Sequence, residues 1–308
     1  MSRLRGVALI TALLITALAG SLAATLAWDN ALDVRRTMVS LYRDQAIQVA
    51  IGSEGWVRSI LREDAVQSQN DHLDEIWATD IPALPIDSEA VQGQIFGKIE
   101  DLQGRFNVNN LVDSSGEPDP VILAQFERLL LALELDPRLA ETTMDWLDPD
   151  QNETIPGGAE DPMYSGLIPP YRTADQAITN VTELAALDGM DSVSFEILLP
   201  HVIALPRGTP INVNTATVPV LQSLGESIDL SAAEGLVEQR SGGFVDYSTV
   251  FDTLVDQDMI PWLAESSQYF QLLAVVQIDT VRVSLFTVLF RDPNRGDVAP
   301  IFRKLGTI

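Results

Sequence analysis

From Val7 to Trp28 the chain runs 22 residues without a charged side chain. As a helix that run reaches about 33 Å, enough to cross a hydrocarbon core of about 30 Å. Past Trp28 the pattern changes but meets no proline. Val34, Met38, Leu41, Tyr42, Ala46 and Val49 recur three and four residues apart, which predicts an amphipathic helix continuing to about Arg62. Residues 64–92 are polar and carry Pro82 and Pro85, and read as a loop or covering segment. Gln94–Ile99 and Gly104–Asn109 predict two short strands about a turn.

From 113 to 267 the period is helical. Leu123, Phe126, Leu130 and Leu133 form one stripe, and Asp136-Pro137 supplies a cap and a first-turn proline for the next helix. Thr173-Ala-Asp-Gln176 and Ser231-Ala-Ala-Glu234 have the form of capping boxes that open further helices. Tyr269–Ile278 and Thr280–Arg291 are rich in Val, Leu and Phe, and a tail strand is expected from about Ala299 to Arg303. The predicted class is α+β: a long N-terminal helix on an antiparallel sheet whose first and last strands are separated by helices. The expected divisions are residues 1–6 ahead of the apolar run, a membrane helix at 7–28, the remaining helix with first strands at 29–112, a helical insertion at 113–267 and closing strands at 268–308.

Charge narrows the partners. The chain carries 44 acidic and 19 basic residues, a net charge of −25. That opposes binding to nucleic acid or anionic headgroups and favours cations and basic surfaces. No cysteine is present, which excludes disulfides, thiolate metal sites and cysteine nucleophiles. His72 and His201 lie far apart and form no catalytic pair, and no Gly-x-Ser-x-Gly element occurs. No catalytic residue is assigned. Two Asn-x-Ser/Thr sequons, at Asn152 and Asn180, are read as chance.

Between Asp113 and Asp161, 13 acidic residues face two basic ones, Arg128 and Arg138. The densest part is Asp145-Trp-Leu-Asp148-Pro-Asp150-Gln-Asn152-Glu153, followed by Gly157-Gly-Ala-Glu160-Asp161. Clustered carboxylates repel unless water, a basic group or a cation intervenes, and calcium takes six to eight oxygen ligands of this kind. An EF-hand does not fit: Glu153 stands where its glycine belongs and Ala159 where its closing glutamate belongs. Composition alone favours a solvated acidic loop over a cation site.

Pro210-Ile-Asn-Val-Asn-Thr-Ala216, Leu221-Gln-Ser-Leu-Gly225 and Gly242-Gly-Phe244 resemble helix-hairpin-helix domains of competence DNA-binding proteins. Here Glu226 and Asp229 occupy the positions a phosphate would approach, and no lysine lies between Lys98 and Lys304. The expectation is therefore a small helical core packed by Leu221, Leu224, Leu230 and Leu236, without nucleic acid.

At the N-terminus Arg3 and Arg5 precede Gly6, and the apolar run begins at Val7. A secretory signal cut after Ala24 or Ala27 and a plain membrane anchor both fit such a run. The pattern more closely resembles a type IV prepilin or pseudopilin leader. The glutamate usual four residues after the new N-terminus is here Thr11. That departure, the stretch Ile99–Leu111, the Asp-Trp-x-Asp-x-Asp loop, the Gly-Gly-Ala-Glu-Asp run and Pro169-Pro170-Tyr171-Arg172 together resemble the general secretion pathway protein K (GspK) family, minor pseudopilins of type II secretion.

The resemblance implies an α+β pseudopilin body whose helical insertion carries helix-hairpin-helix-like units. It implies cleavage by a prepilin peptidase between Gly6 and Val7 with methylation of Val7. It places a single-pass anchor in the inner membrane, with Arg3 and Arg5 cytoplasmic and the body periplasmic. It implies calcium held by oxygens among Asp148, Asp150, Glu160 and Asp161, with Asp145, Asn152 and Glu153 as weaker candidates. Implied partners are GspI-like and GspJ-like minor pseudopilins. Thr11 fits a subunit that starts the fibre, because a glutamate inside an apolar helix needs a positive partner that a first subunit lacks. The rival expectation is a membrane-anchored periplasmic calcium-binding protein unrelated to fibres.

Overall fold

The structure is a computed structural model that describes residues 2–88, 91–244 and 246–306, without the side chains of 2–6, 88 and 91. Of the leader expected at 1–6, Met1 and the side chains of 2–6, including Arg3 and Arg5, thus lie outside the described residues. Helix α1 spans Ser2–Gln67 without interruption. Its apolar side chains from Val7 to Trp28 stand exposed, as a lipid-facing segment requires. Further along, Ala46, Ala50, Val57 and Leu61 are fully buried against the sheet. Two of these are alanines, which let the helix approach closely.

The sheet has five strands, β1 (Ile81–Ser88), β2 (Val91–Asp101), β7 (Tyr269–Ile278), β8 (Val281–Arg291) and β9 (Val298–Gly306), in the order β1-β2-β7-β8-β9. Every pairing is antiparallel. Alternate residues Phe270, Leu272, Ala274, Val276 and Ile278 face α1, as the two-residue period of a strand dictates. Glu54 of α1 is buried among them. Burial opposes its charge, yet Arg303 and Thr287 hold its carboxyl below the usual range; Arg303 Nε and Nη2 both donate to it at 2.7 Å.

Between β2 and β7 the chain forms a second core. Two-residue parallel bridges join β3 (Phe106–Asn107) to β4 (Val202–Ile203) and β5 (Ile211–Asn212) to β6 (Leu263–Ala264). Around them lie helices α2 (Pro120–Ala132), α3 (Leu139–Leu147), α4 (Asp161–Tyr164), α5 (Ser192–Leu198), α6 (Val218–Ser223), α7 (Leu230–Gln239) and α8 (Tyr247–Phe251). Phe106 stacks on Phe126 at 4.7 Å and 4°, and Leu221, Leu224 and Leu236 close the same core. Leu230 instead stands 55 % exposed.

Several expectations are corrected. The segment 64–92 is not a loop: α1 continues to Gln67, Ile81–Ser88 is a strand and β2 begins at Val91. Pro82 and Pro85 are tolerated because β1 is an edge strand. Gln94–Asn109 is not a hairpin either, since β2 ends at Asp101 and Phe106–Asn107 pairs with Val202–Ile203. Side chains from Phe106 onward already belong to the helical core, so the change of core comes before the boundary expected at 112/113. No helix opens at Thr173, whose hydroxyl bonds Asp161 and Asp175. Asp136 accepts from Arg138 in a turn, and α3 begins only at Leu139, after Arg138. The cap of α7 is Asp229, not Ser231.

The two cores meet at a buried polar junction. Asp101 Oδ2 accepts from Ser267 Oγ at 2.6 Å, Thr215 Oγ1 at 2.6 Å and Asn212 Nδ2 at 2.9 Å, while Oδ1 accepts from the Gln103 amide at 2.8 Å. Beside it Arg291 bridges Asp71 and Asp64, the latter at 3.0 Å. Burial nevertheless pushes Asp71 up to about 7.

Candidate metal centre

Helix α3 is buried on nearly every side: Leu139, Ala140, Met144, Trp146 and Leu147 all enter the core. Core packing therefore dictates where its last turn points. Asp145 and the following Asp148 lie three residues apart, which puts both carboxylates on one side of that turn. The C-terminal end of a helix disfavours negative charge, and α3 has no basic residue in its last turn.

The chain then loops out through Asp150 and returns at Glu160. One carboxylate oxygen each from Asp148, Asp150 and Glu160 lies within 4.8 Å of the others. Asp150 is exposed, whereas Asp145 and Glu160 are 0 % exposed and Asp148 4 %. Asp145 Oδ2 accepts from the Thr154 amide at 3.0 Å. Among the described residues no donor reaches Asp145 Oδ1, Asp148 Oδ1 or either oxygen of Glu160. Burying a carboxylate without donors costs several kcal/mol, so three together demand protons or a cation.

Titration follows the same physics. Burial, then the charges of Asp150 and Asp145, push Asp148 up to about 7. Burial, then Asp145 and Asp148, push Glu160 up to about 8. Burial also raises Asp145.

Gly157 and Gly158 let the returning chain pass close to α3. A Cβ on Gly158 would strike the Asp145 carboxylate and the Thr154 backbone. Trp146 packs edge-on against Tyr164 at 5.1 Å, and Tyr164 lies 5.3 Å from Tyr171, walling the loop with aromatic rings.

Of the residues expected as ligands, Asp148, Asp150 and Glu160 converge, and Asp145 lies beside them. Asp161 does not join them: its Oδ1 accepts from Thr173 N and Oγ1, both at 3.1 Å, and its Oδ2 lies 3.6 Å from Arg172. Asn152 and Glu153 are exposed, and the Asn152 amide donates to Asp150 Oδ1 at 2.7 Å. In the sequence Asp175 reads only as part of the Thr173–Gln176 capping box. Its charge raises both Asp148 and Glu160, and it sits at φ +52° with its amide donating to Trp146 O at 3.2 Å. An aspartate placed shortly after the Pro-Pro-Tyr-Arg turn was the available signal.

The donor set is all oxygen, anionic and partly unsatisfied, and so suits a hard divalent cation such as calcium. Asp148, Asp150 and Glu160 would hold it, with Asp145 and Asp175 adding negative charge. Bound there, the cation would supply electrostatic cross-linking of the end of α3 to the returning loop.

Residues 104–207 and 211–258 match two sequence profiles of type II secretion system protein K. A type II secretion system protein K of Pseudomonas aeruginosa is 35 % identical, the match covering 98 % of this chain and 92 % of that one. Its counterpart in Pectobacterium carotovorum is 35 % identical over 78 % of this chain and 76 % of its own. Among solved structures, a chain of the GspK-GspI-GspJ complex of the enterotoxigenic Escherichia coli type 2 secretion system superposes with a TM-score of 0.76 at 24 % identity, covering 89 % of this chain and all of that one. Sequence likeness over nearly the whole length, on the same α+β fold, places the chain in the type II secretion system protein K (GspK) family of minor pseudopilins.

Proposed function

We propose that the chain starts the type II secretion fibre and stays at its tip, joined to GspI-like and GspJ-like subunits, and so supports export of folded proteins through the outer membrane. The observation that carries this is the exposed apolar helix starting at Val7 with Thr11 in place of a glutamate. Thr11 Oγ1 donates to the carbonyls of Val7 and Ala8 at 3.1 and 3.0 Å, so it asks nothing of a neighbouring subunit. A prepilin peptidase would cut between Gly6 and Val7 and methylate Val7. The anchor would then cross the inner membrane once, with the body in the periplasm. The solved relative comes from a complex with GspI and GspJ, which supports that choice of partners.

Calcium would act structurally, tying the end of α3 to the Glu160 loop, and no catalytic step is assigned to the chain. The hairpin Gly225–Asp229 between α6 and α7 would serve packing: Gly225 lies against the Leu254 carbonyl, where a Cβ would collide. Co-expression of the full-length chain with the GspI-like and GspJ-like subunits of the same organism tests the assignment. A ternary complex is expected after detergent extraction. Migration of the chain alone would contradict it.

A further inference from the structure

The two edges of the sheet are treated differently. On the β1 edge, Pro82 and Pro85 donate no backbone N–H, a usual protection of a free edge. On the β9 edge the one proline, Pro300, pairs with Leu289 beside the register shift. Residues 301–306 beyond it keep all their N–H groups. Ile301, Phe302, Arg303, Lys304 and Leu305 are all exposed, with Ile301 at 55 %, Phe302 at 54 % and Leu305 at 48 %.

Both faces of this edge are apolar. Leu305 pairs with the buried Leu285 on the α1 side, and Phe302 pairs with Val288 on the outer face. On that outer face Val288 and Phe290 are partly buried against Leu102, Leu205 and Tyr269, and the exposed Phe302 continues this apolar strip to the edge. The charged guards are reduced to one. Arg303 is held by Glu54, and among the described residues Lys304 has no carboxylate partner within 4 Å.

A row of unpaired amides and carbonyls flanked by apolar side chains selects an extended strand rather than a helix. It does not select a second copy of this chain. Antiparallel β9–β9 pairing would bring Arg303 and Lys304 of the two chains together, and each chain carries −25. We infer that β9 is completed by an edge strand of a neighbouring pseudopilin subunit, apolar at alternate positions and with a carboxylate opposite Lys304. This rests on the fibre assignment above. Arg303 meets Glu54, about 39 Å along α1 from Trp28 at about 1.5 Å per residue, so the docking would occur well above the bilayer.

The test is hydrogen–deuterium exchange on the full-length chain, alone and in the co-expressed complex with the GspI-like and GspJ-like subunits. The inference predicts at least a tenfold slowing of exchange in the complex at those amides of 301–305 that point away from β8. It also predicts that Phe302→Lys and Leu305→Lys each weaken assembly about tenfold while leaving the melting temperature of the chain alone unchanged. A complex that forms with β9 exchanging as in the free chain overturns the edge contact and leaves the fibre assignment standing. Failure of any complex to form overturns both. Weakened assembly with equally lowered melting temperatures, and no change at these amides, also counts against the contact.

Discussion

Asp148 and Glu160 bring carboxylate oxygens within 4.8 Å of one another where both side chains are buried, and among the described residues no donor reaches either oxygen of Glu160. The pair is stable only with protons or a cation between its members. At a free concentration about a hundred times its dissociation constant, a bound ion adds about 2.7 kcal/mol. For a body of this size that corresponds to a rise of about 5 °C or more in melting temperature. Calcium is therefore expected to raise the melting temperature of the purified chain relative to chelator. Superimposable curves would contradict the site.

Neutralising the pair separates ion binding from folding. In Asp148→Asn/Glu160→Gln the amides mimic the protonated acids that burial favours in the ion-free chain. Its melting temperature in chelator is expected to stay within a few degrees of the parent, while the calcium response disappears. Terbium luminescence excited through Trp146, which lies between Asp145 and Asp148 in the chain, gives a second readout and should be lost with it. Retention of either response would remove these two residues from the ligand set.

The pH dependence has a definite sign. Asp148 and Glu160 rise from 3.8 and 4.5 to about 7 and about 8 in the ion-free fold. The folded chain thus holds protons that the unfolded chain has already released. The stability these groups supply is fully present below about pH 4 and is lost as pH rises through about 7 and 8. Calcium competes with those protons, so the gap between melting temperatures in calcium and in chelator should widen from pH 5 to pH 8.5. Parallel curves over that range would argue against ligation by these carboxylates.

Much of the fold was legible because its signals are periodic. The 22-residue uncharged run and the Val-, Leu- and Phe-rich segments before and after Asp279 reappear as α1, β7 and β8. What stayed hidden depended on partners far away in the chain. Ile81–Ser88 reads as a loop because two prolines argue against a strand, unless that strand proves to be an edge. Thr173 has the spacing of a cap, but its hydroxyl is taken by Asp161 and Asp175. In the candidate site, Asp148, Asp150 and Glu160 could be named from their spacing. Asp161 could not be told from Glu160, its immediate neighbour, because which of them turns inward depends on where α4 starts. The Arg291–Asp71 contact joins residues 220 apart, and no local pattern announces it.

That junction yields a stability prediction. Arg291 is buried between Asp64 and Asp71, and also donates to the Ser267 carbonyl. Arg291→Met leaves the buried Asp71 and the partly buried Asp64 without their cation, a loss of about 3–5 kcal/mol. Chemical denaturation should register it as a lower midpoint. A change below about 1 kcal/mol would mean that the junction is solvated.

Gly158→Ala addresses the loop without touching a carboxylate. Its methyl group would meet Asp145 and Thr154, so the loop must move off α3. A loss of about 1–3 kcal/mol is expected from overpacking, together with weaker calcium binding by titration calorimetry. Unaltered affinity would show that the loop's approach to Asp145 is not needed for ligation.

The proposed role begins at the apolar N-terminal helix, and the mass of the N-terminal peptide from membrane-extracted protein tests it most directly. Processing as a pseudopilin predicts a chain that begins at Val7 with a methylated α-amine. A chain that keeps Met1, or one that starts after Ala24 or Ala27, would contradict it.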